Sequence, residues 1–151
     1  MPTQDKAQLR AELLRQLEAQ LAGARTAHAA AVAGATDDEA RPENDKDTRG
    51  LEQSYLARGY AQRVAELEAA TAAVAVMTTQ PATRVAIGAL VVVDEDDRER
   101  RFYVAGFGGG LELGDVTVVT PSSPVGRALL GKVVDDDCEL GKRTLAITAV
   151  R

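Results

Sequence analysis

The sequence predicts an α+β chain, an antiparallel helical hairpin followed by a small antiparallel β domain with one short helix, and three observations carry that reading. The first half is rich in alanine, with apolar positions stepping by three and four. The second half is rich in Val, Gly and Thr, gathered in short runs, and the change falls between Met77 and Pro81. Aromatic residues make up only 3% and Trp is absent, which leaves too little bulk for one large core. The expected division is therefore residues 1–80 as a coiled-coil hairpin arm and residues 81–151 as a β-rich domain.

The first helix rests on Leu14, Leu17, Leu21, Ala24, His28, Ala31 and Ala35, which alternate by three and four and share one stripe. Leu9 and Leu13 extend the apolar surface, and alanine favours helix, so the helix is expected over Gln4–Ala35. Gly34, Pro42 and the surrounding Asp, Glu and Asn residues then break the pattern. A second helix is expected from Asp45–Thr48 onward, carrying Leu51, Tyr55, Leu56, Tyr60, Val64, Leu67, Thr71 and Val74. At 1.5 Å per residue, about 30 residues make an arm on the order of 45 Å long. His28, on the seam, reads as a packed residue with no chemistry of its own.

Four β runs follow: Arg84–Val93, Arg100–Phe107, Val116–Thr120 and Thr144–Val150. An antiparallel sheet is the economical reading of runs separated by short charged or Gly-rich turns. Asp94–Asp97 reads as a solvated turn, with Arg98, Arg100 and Arg101 beside it, and Gly108–Gly110 as a hairpin loop. That glycine run lacks the Lys-Ser/Thr and the helix start that a phosphate loop requires. Ser123 to Gly131 has a cap residue, Pro at the first helical position, a Leu pair and a terminal Gly, and so reads as one short helix.

The formal charge of -5 argues against a stand-alone nucleic-acid binder, because neutralising phosphates takes a surplus of Lys and Arg, so any nucleic acid is expected to be reached through a partner. A single cysteine, Cys138, excludes an internal disulfide and reads as a small buried or half-buried filler. One histidine leaves no Cys/His cluster for zinc. Met1 to Arg10 lacks the apolar stretch of a signal peptide, and no run approaches the roughly 20 apolar residues that span a bilayer. The expectation is a soluble, cytoplasmic chain with no membrane partner. An intramolecular hairpin further predicts a monomer, whereas a generic coiled-coil dimerisation module would have twice the monomer's mass.

The segment Ser123-Pro124-Val125-Gly126-Arg127-Ala128-Leu129-Leu130-Gly131-Lys132, followed by Asp135-Asp136-Asp137, resembles the C-terminal signature of the bacterial Gre-type transcription elongation factors. Glu43-Asn44 and, further on, Arg63 to Glu68 are similar to the tip and second helix of the family's arm, and Arg84 to Gly88 looks like the start of its β domain. The resemblance covers nearly the whole chain in the right order. It implies an FKBP-like β domain that docks on the rim of the secondary channel of RNA polymerase, through Ser123, Pro124, Arg127, Leu130, Gly131 and Lys132. It also implies an arm that enters the channel. The chain would then be no enzyme, but a stimulator of the polymerase's own cleavage of backtracked RNA.

The tip is where the sequence departs from the family. Cleavage-stimulating members carry an Asp and a Glu three residues apart that help hold a second magnesium ion in the polymerase site. Glu43 matches the Glu, but the position of the Asp is Ala40. Glu39, Asp38 or Asp37 can substitute if the turn brings them round, and Asp45 and Asp47 follow closely. Magnesium takes hard oxygen ligands in near-octahedral geometry, and a two-metal site holds its ions about 3.5–4 Å apart. The resemblance thus implies no cofactor bound by the chain alone, and a magnesium shared with the polymerase through Glu43, with Glu39 and Asp45 as neighbouring acids. Six acids against Arg41 and Lys46 give the tip a surplus of four negative charges, suited to an electropositive, metal-bearing channel. Ala40 keeps a second reading open, a non-cleaving regulator or inhibitor that occupies the same channel. Prolyl isomerisation, suggested by the FKBP-like fold alone, needs an aromatic pocket that Phe102, Tyr103 and Phe107 are too few to line.

Overall fold

The computed structural model describes residues 5–36 and 48–151, with backbone alone at Thr36 and residues 48–50. Two long helices, α1 (Lys6–Thr36) and α2 (Thr48–Ala75), precede six strands and a short third helix. The strands are β1 (Leu90–Glu95), β2 (Arg98–Val104), β3 (Glu112–Leu113), β4 (Val116–Val119), β5 (Asp137–Leu140) and β6 (Arg143–Val150). Helix α3 (Pro124–Leu129) lies between β4 and β5, so the α+β class is as the sequence predicts, while β3 and β5 are strands beyond the four runs read from the sequence. The chain divides into two compact units, one of Met1–Arg15 with Ala72–Arg151 and one of Gln16–Thr71.

The second unit is built from α1 from Gln16 onward and α2 up to Thr71. Along α1, Leu17, Leu21 and Ala31 are buried and Ala24 and His28 half-buried, which is the expected stripe. Gln20 accepts a hydrogen bond from Arg63 at 2.9 Å, and further along α1 Gly34 lies against the side chain of Gln53. As α1 advances its partners on α2 retreat, so the helices run antiparallel. On α2 the expected seam holds at Tyr60, Val64 and Leu67 but not at Leu51, Tyr55 and Leu56, which are 54%, 61% and 48% exposed. Stepping back from Leu67 by threes and fours, the seam passes through Ala57 and Gln53, both partly buried. Small and polar residues carry it there, and the large apolar ones face solvent.

The first unit is a six-stranded sheet in the order β3-β4-β2-β1-β6-β5. The expected all-antiparallel pairing is corrected at one place, since β2 and β4 pair in parallel, from Arg101 beside Val116 to Val104 beside Val119. The cause is β3, a two-residue strand that pairs antiparallel with β4 at the sheet's edge and reverses the chain once more than a simple hairpin would. The glycine run permits the crossing. Gly108 sits at φ +83°, where a side chain would also press on Leu13.

One face of the sheet carries a core of Val91, Val93, Phe102, Val104, Leu145 and Ile147, completed by Val85, Leu129 and Cys138. Truncating a side chain such as Phe102 there costs about 3–5 kcal/mol. On alternate positions Leu90, Val92 and Tyr103 point the other way and are buried as well. The start of α1 is tied into this unit. Asp5 caps the helix by accepting from the Ala7 N–H at 2.9 Å, Lys6 Nζ donates to the Gln80 carbonyl at 2.6 Å, and Arg10 donates to the Met77 carbonyl at 2.7 Å. Burial pushes the Tyr103 phenol up to about 12, against the opposing pull of the Arg10 charge.

Candidate functional site

The segment from Ser123 to Lys132 separates into residues that build a turn of helix and residues that helix presents. Ser123 is the N-cap: its Oγ accepts the Gly126 N–H at 3.0 Å and donates to the Thr120 carbonyl at 2.8 Å, tying the helix start to the end of β4. Pro124 follows at the first helical position, where its missing N–H costs nothing. Gly126 is required by space, because a Cβ there would lie 1.8 Å from the Thr120 carbonyl oxygen. Leu129 points into the sheet core and is fully buried.

The helix ends as firmly as it begins. Gly131 takes φ +81°, its N–H donates to the Val85 carbonyl at 2.8 Å, and the Lys132 carbonyl accepts the Val85 N–H at 2.8 Å. Arg84 adds a side-chain bond to the Gly131 carbonyl at 2.5 Å. The acidic triplet is also structural in part. Asp136 accepts the Val133 N–H through its carboxylate at 2.9 Å, and Asp135 stands in left-handed backbone at φ +75°.

Of the six candidate docking residues, Ser123 and Gly131 therefore shape the segment, while Pro124, Arg127, Leu130 and Lys132 are exposed. Arg127 and Leu130 stand three positions apart, the spacing that places side chains on one side of a helical turn. Leu130 is 45% exposed beside its buried neighbour Leu129, and Val134 is 41% exposed shortly after. The segment thus offers a cationic and apolar surface on a rigid base. Val134 belongs to this region and was not singled out from the sequence, and Arg84 was read only as the start of the β domain. The Pro81 break placed Arg84 as the first residue of a strand, whereas it forms an isolated bridge with Val133.

The tip acids Glu39, Glu43 and Asp45, with Asp37, Asp38, Ala40 and Asp47, lie outside the described residues. Among the described residues no group of three His, Cys, Asp or Glu stands ready to hold a metal ion. Cys138 is buried in the sheet core, and that burial raises its thiol pKa, which disfavours the reactive thiolate. Among the described residues no helix is long and apolar enough to cross a membrane.

Comparison with known proteins gives no matching family model and no matching curated protein. Among solved structures, the chain is similar to GreA factor homolog 1 (Gfh1) of Thermus thermophilus, with 18% identity, a TM-score of 0.41, and coverage of 91% of this chain and 94% of that one. A second structure of the transcription factor Gfh1 matches at 17% identity and a TM-score of 0.40, covering 91% of this chain and 92% of that one. Thermus aquaticus Gfh1 matches at 19% identity and a TM-score of 0.39, again covering 91% and 92%.

Proposed function

We propose that the chain is a Gre-type transcription factor that docks on RNA polymerase through the α3 segment and carries its acidic hairpin tip into the secondary channel. The observation that carries this reading is the Ser123 to Lys132 signature, in which every residue of the resemblance has a physical task. Ser123, Gly126, Leu129 and Gly131 fix the helix against the sheet, and Arg127 on the helix and Leu130 and Lys132 just after it are left exposed. An apolar side chain flanked by exposed cations is the composition of a docking patch, with Leu130 excluding water and Arg127 available for bidentate pairing with a carboxylate.

In this reading the chain catalyses nothing by itself. The polymerase supplies the catalytic centre, and Glu43 with Glu39 or Asp45 supplies oxygen ligands to a magnesium ion shared with it. The ion would polarise the attacking water for hydrolysis of the backtracked RNA. Ala40, where cleavage-stimulating relatives have Asp, favours a second reading with the same dock. The tip then fills the channel, supports no cleavage and excludes factors that do cleave.

One experiment divides the readings. Purified chain is added to stalled, backtracked bacterial RNA polymerase carrying end-labelled RNA, with and without magnesium, beside a Glu43→Ala variant. Magnesium-dependent trimming of the RNA 3′ end that the variant loses is the outcome for a cleavage factor. No trimming, together with blocked trimming by an authentic cleavage factor, is the outcome for a channel competitor. Neither effect would remove the polymerase from the reading altogether.

A further inference from the structure

The end of the sheet opposite α3 carries a second cluster of charged residues that polymerase docking does not use. β1 and β6 are antiparallel neighbours, so the β1–β2 turn at Asp96–Asp97 and the β5–β6 turn at Gly141–Lys142 emerge at one end of the strands. β4 runs parallel to β2, so it delivers the chain to α3 at the other end. Along β1, β2 and β6 the two-residue alternation that points Val93, Phe102 and Leu145 into the core places Glu95, Arg98, Arg100 and Arg143 on the same face, past the core's margin.

Glu95 organises this group. Its carboxylate accepts from Arg143 Nε at 2.5 Å and Nη2 at 2.8 Å, and from Arg100 Nη1 at 3.2 Å, while the side chain is only 13% exposed. Arg100 is held a second time, its guanidinium 4.9 Å from the centroid of the Phe102 ring. Glu95, Asp96, Arg98 and Arg100 line a cavity of about 490 Å³. Among the described residues Arg98 has no carboxylate partner, and Arg143 and Arg100 retain N–H donors that Glu95 does not use.

We propose that this cavity is a phosphoryl-binding site, with Arg98 and Arg100 as its contact residues and Arg143 as the positioning cation behind them. Charge and donor number select an anion. Arg98, Arg100, Arg143 and Lys142 against Glu95, Asp96 and Asp97 leave one positive charge. A phosphate monoester carries about -1.5 to -2 at neutral pH and offers three acceptor oxygens, enough to engage Arg98 and Arg100 together, where a single carboxylate offers two. Guanidinium groups match phosphoryl oxygens in pairs, and of the two contact residues Arg100 is held by Glu95 and Phe102 before any ligand arrives, which lowers the ordering cost of binding. The phosphoryl group belongs either to a free phosphorylated small molecule or to a nucleic-acid strand.

Titration calorimetry of the intact chain with pyrophosphate, with a short single-stranded oligonucleotide and with acetate tests the proposal. Arg98→Ala is the first variant, because Arg98 does not bond to Glu95 and its loss leaves the Glu95 network whole. A urea unfolding curve matching the unaltered chain's establishes that it folds. Saturable pyrophosphate binding, weakened about tenfold in Arg98→Ala and further in Arg98→Ala/Arg100→Ala, supports the site and assigns a free phosphorylated ligand. Oligonucleotide binding weakened by the same variants, with pyrophosphate silent, supports the site and assigns a strand. Absence of binding, binding indifferent to both substitutions, or equal binding of acetate overturns it.

Discussion

Glu95 shows how a residue that reads as part of a solvated turn becomes a fastening. Asp96 and Asp97, at φ 52° and 62°, make the tight two-residue turn, which leaves Glu95 as the last residue of β1. There it is bonded by Arg143 from β6 and Arg100 from β2, and these hold its carboxyl down to about 2 against an ordinary 4.5. A carboxyl depressed on folding contributes stability that is fully present above the unfolded value and is lost as pH falls through the folded one. Urea unfolding midpoints should therefore decline between about pH 4.5 and pH 2, and the decline should be shallower in Glu95→Gln. Equal slopes would mean that the ion pairs give the strand ends nothing. The sequence displays the acids and arginines of this stretch, but their grouping depends on register, since Arg143 lies 48 positions away from Glu95. Ser123, Pro124 and Gly131 were legible because capping is local, whereas the demand for Gly126 comes from the Thr120 carbonyl and is visible only once β4 is in place.

At the scale of elements, the helices were legible because leucines and alanines repeat at helical spacing, and they begin and end within a few residues of expectation, although Gly34, read as part of the break, lies inside α1. The face of α2 was legible only over its second half, where Val64 and Leu67 mark the seam. Nearer its start the apolar residues mislead, because Ala57 and Gln53 occupy the seam instead. The two assignments differ in a measurable way. Leu67, 3% exposed, should cost about 2–4 kcal/mol on replacement by alanine, while Leu56, 48% exposed, should change stability by no more than about 0.5 kcal/mol. Chemical denaturation of the two variants checks this, and a Leu56→Ala loss as large as that of Leu67→Ala would return Leu56 to the seam. β3 eluded the sequence for a different reason. Two residues carry no periodicity, yet they reverse the chain and turn one sheet pairing parallel.

For the whole molecule, the proposed function assigns different tasks to segments far apart in sequence, and kinetics can separate them. The α3 surface should set how much chain is needed, and the tip should set what happens once the polymerase is occupied. Arg127→Ala combined with Leu130→Ala removes exposed side chains while leaving Ser123, Gly126 and Leu129 to hold the helix, so the fold should persist. In the backtracked-complex assay, that variant should shift the half-maximal concentration upward by about tenfold or more without lowering the plateau, because docking residues contribute binding energy alone. Glu43→Ala should do the reverse in a cleavage factor, lowering the plateau at an unchanged half-maximal concentration. If the chain is a channel competitor, the same two variants are read against an authentic cleavage factor. The docking variant should again lose potency, and Glu43→Ala should retain it where filling the channel suffices for inhibition. A docking variant that alters the plateau but not the concentration dependence would show that the exposed face of α3 is not where the polymerase is held.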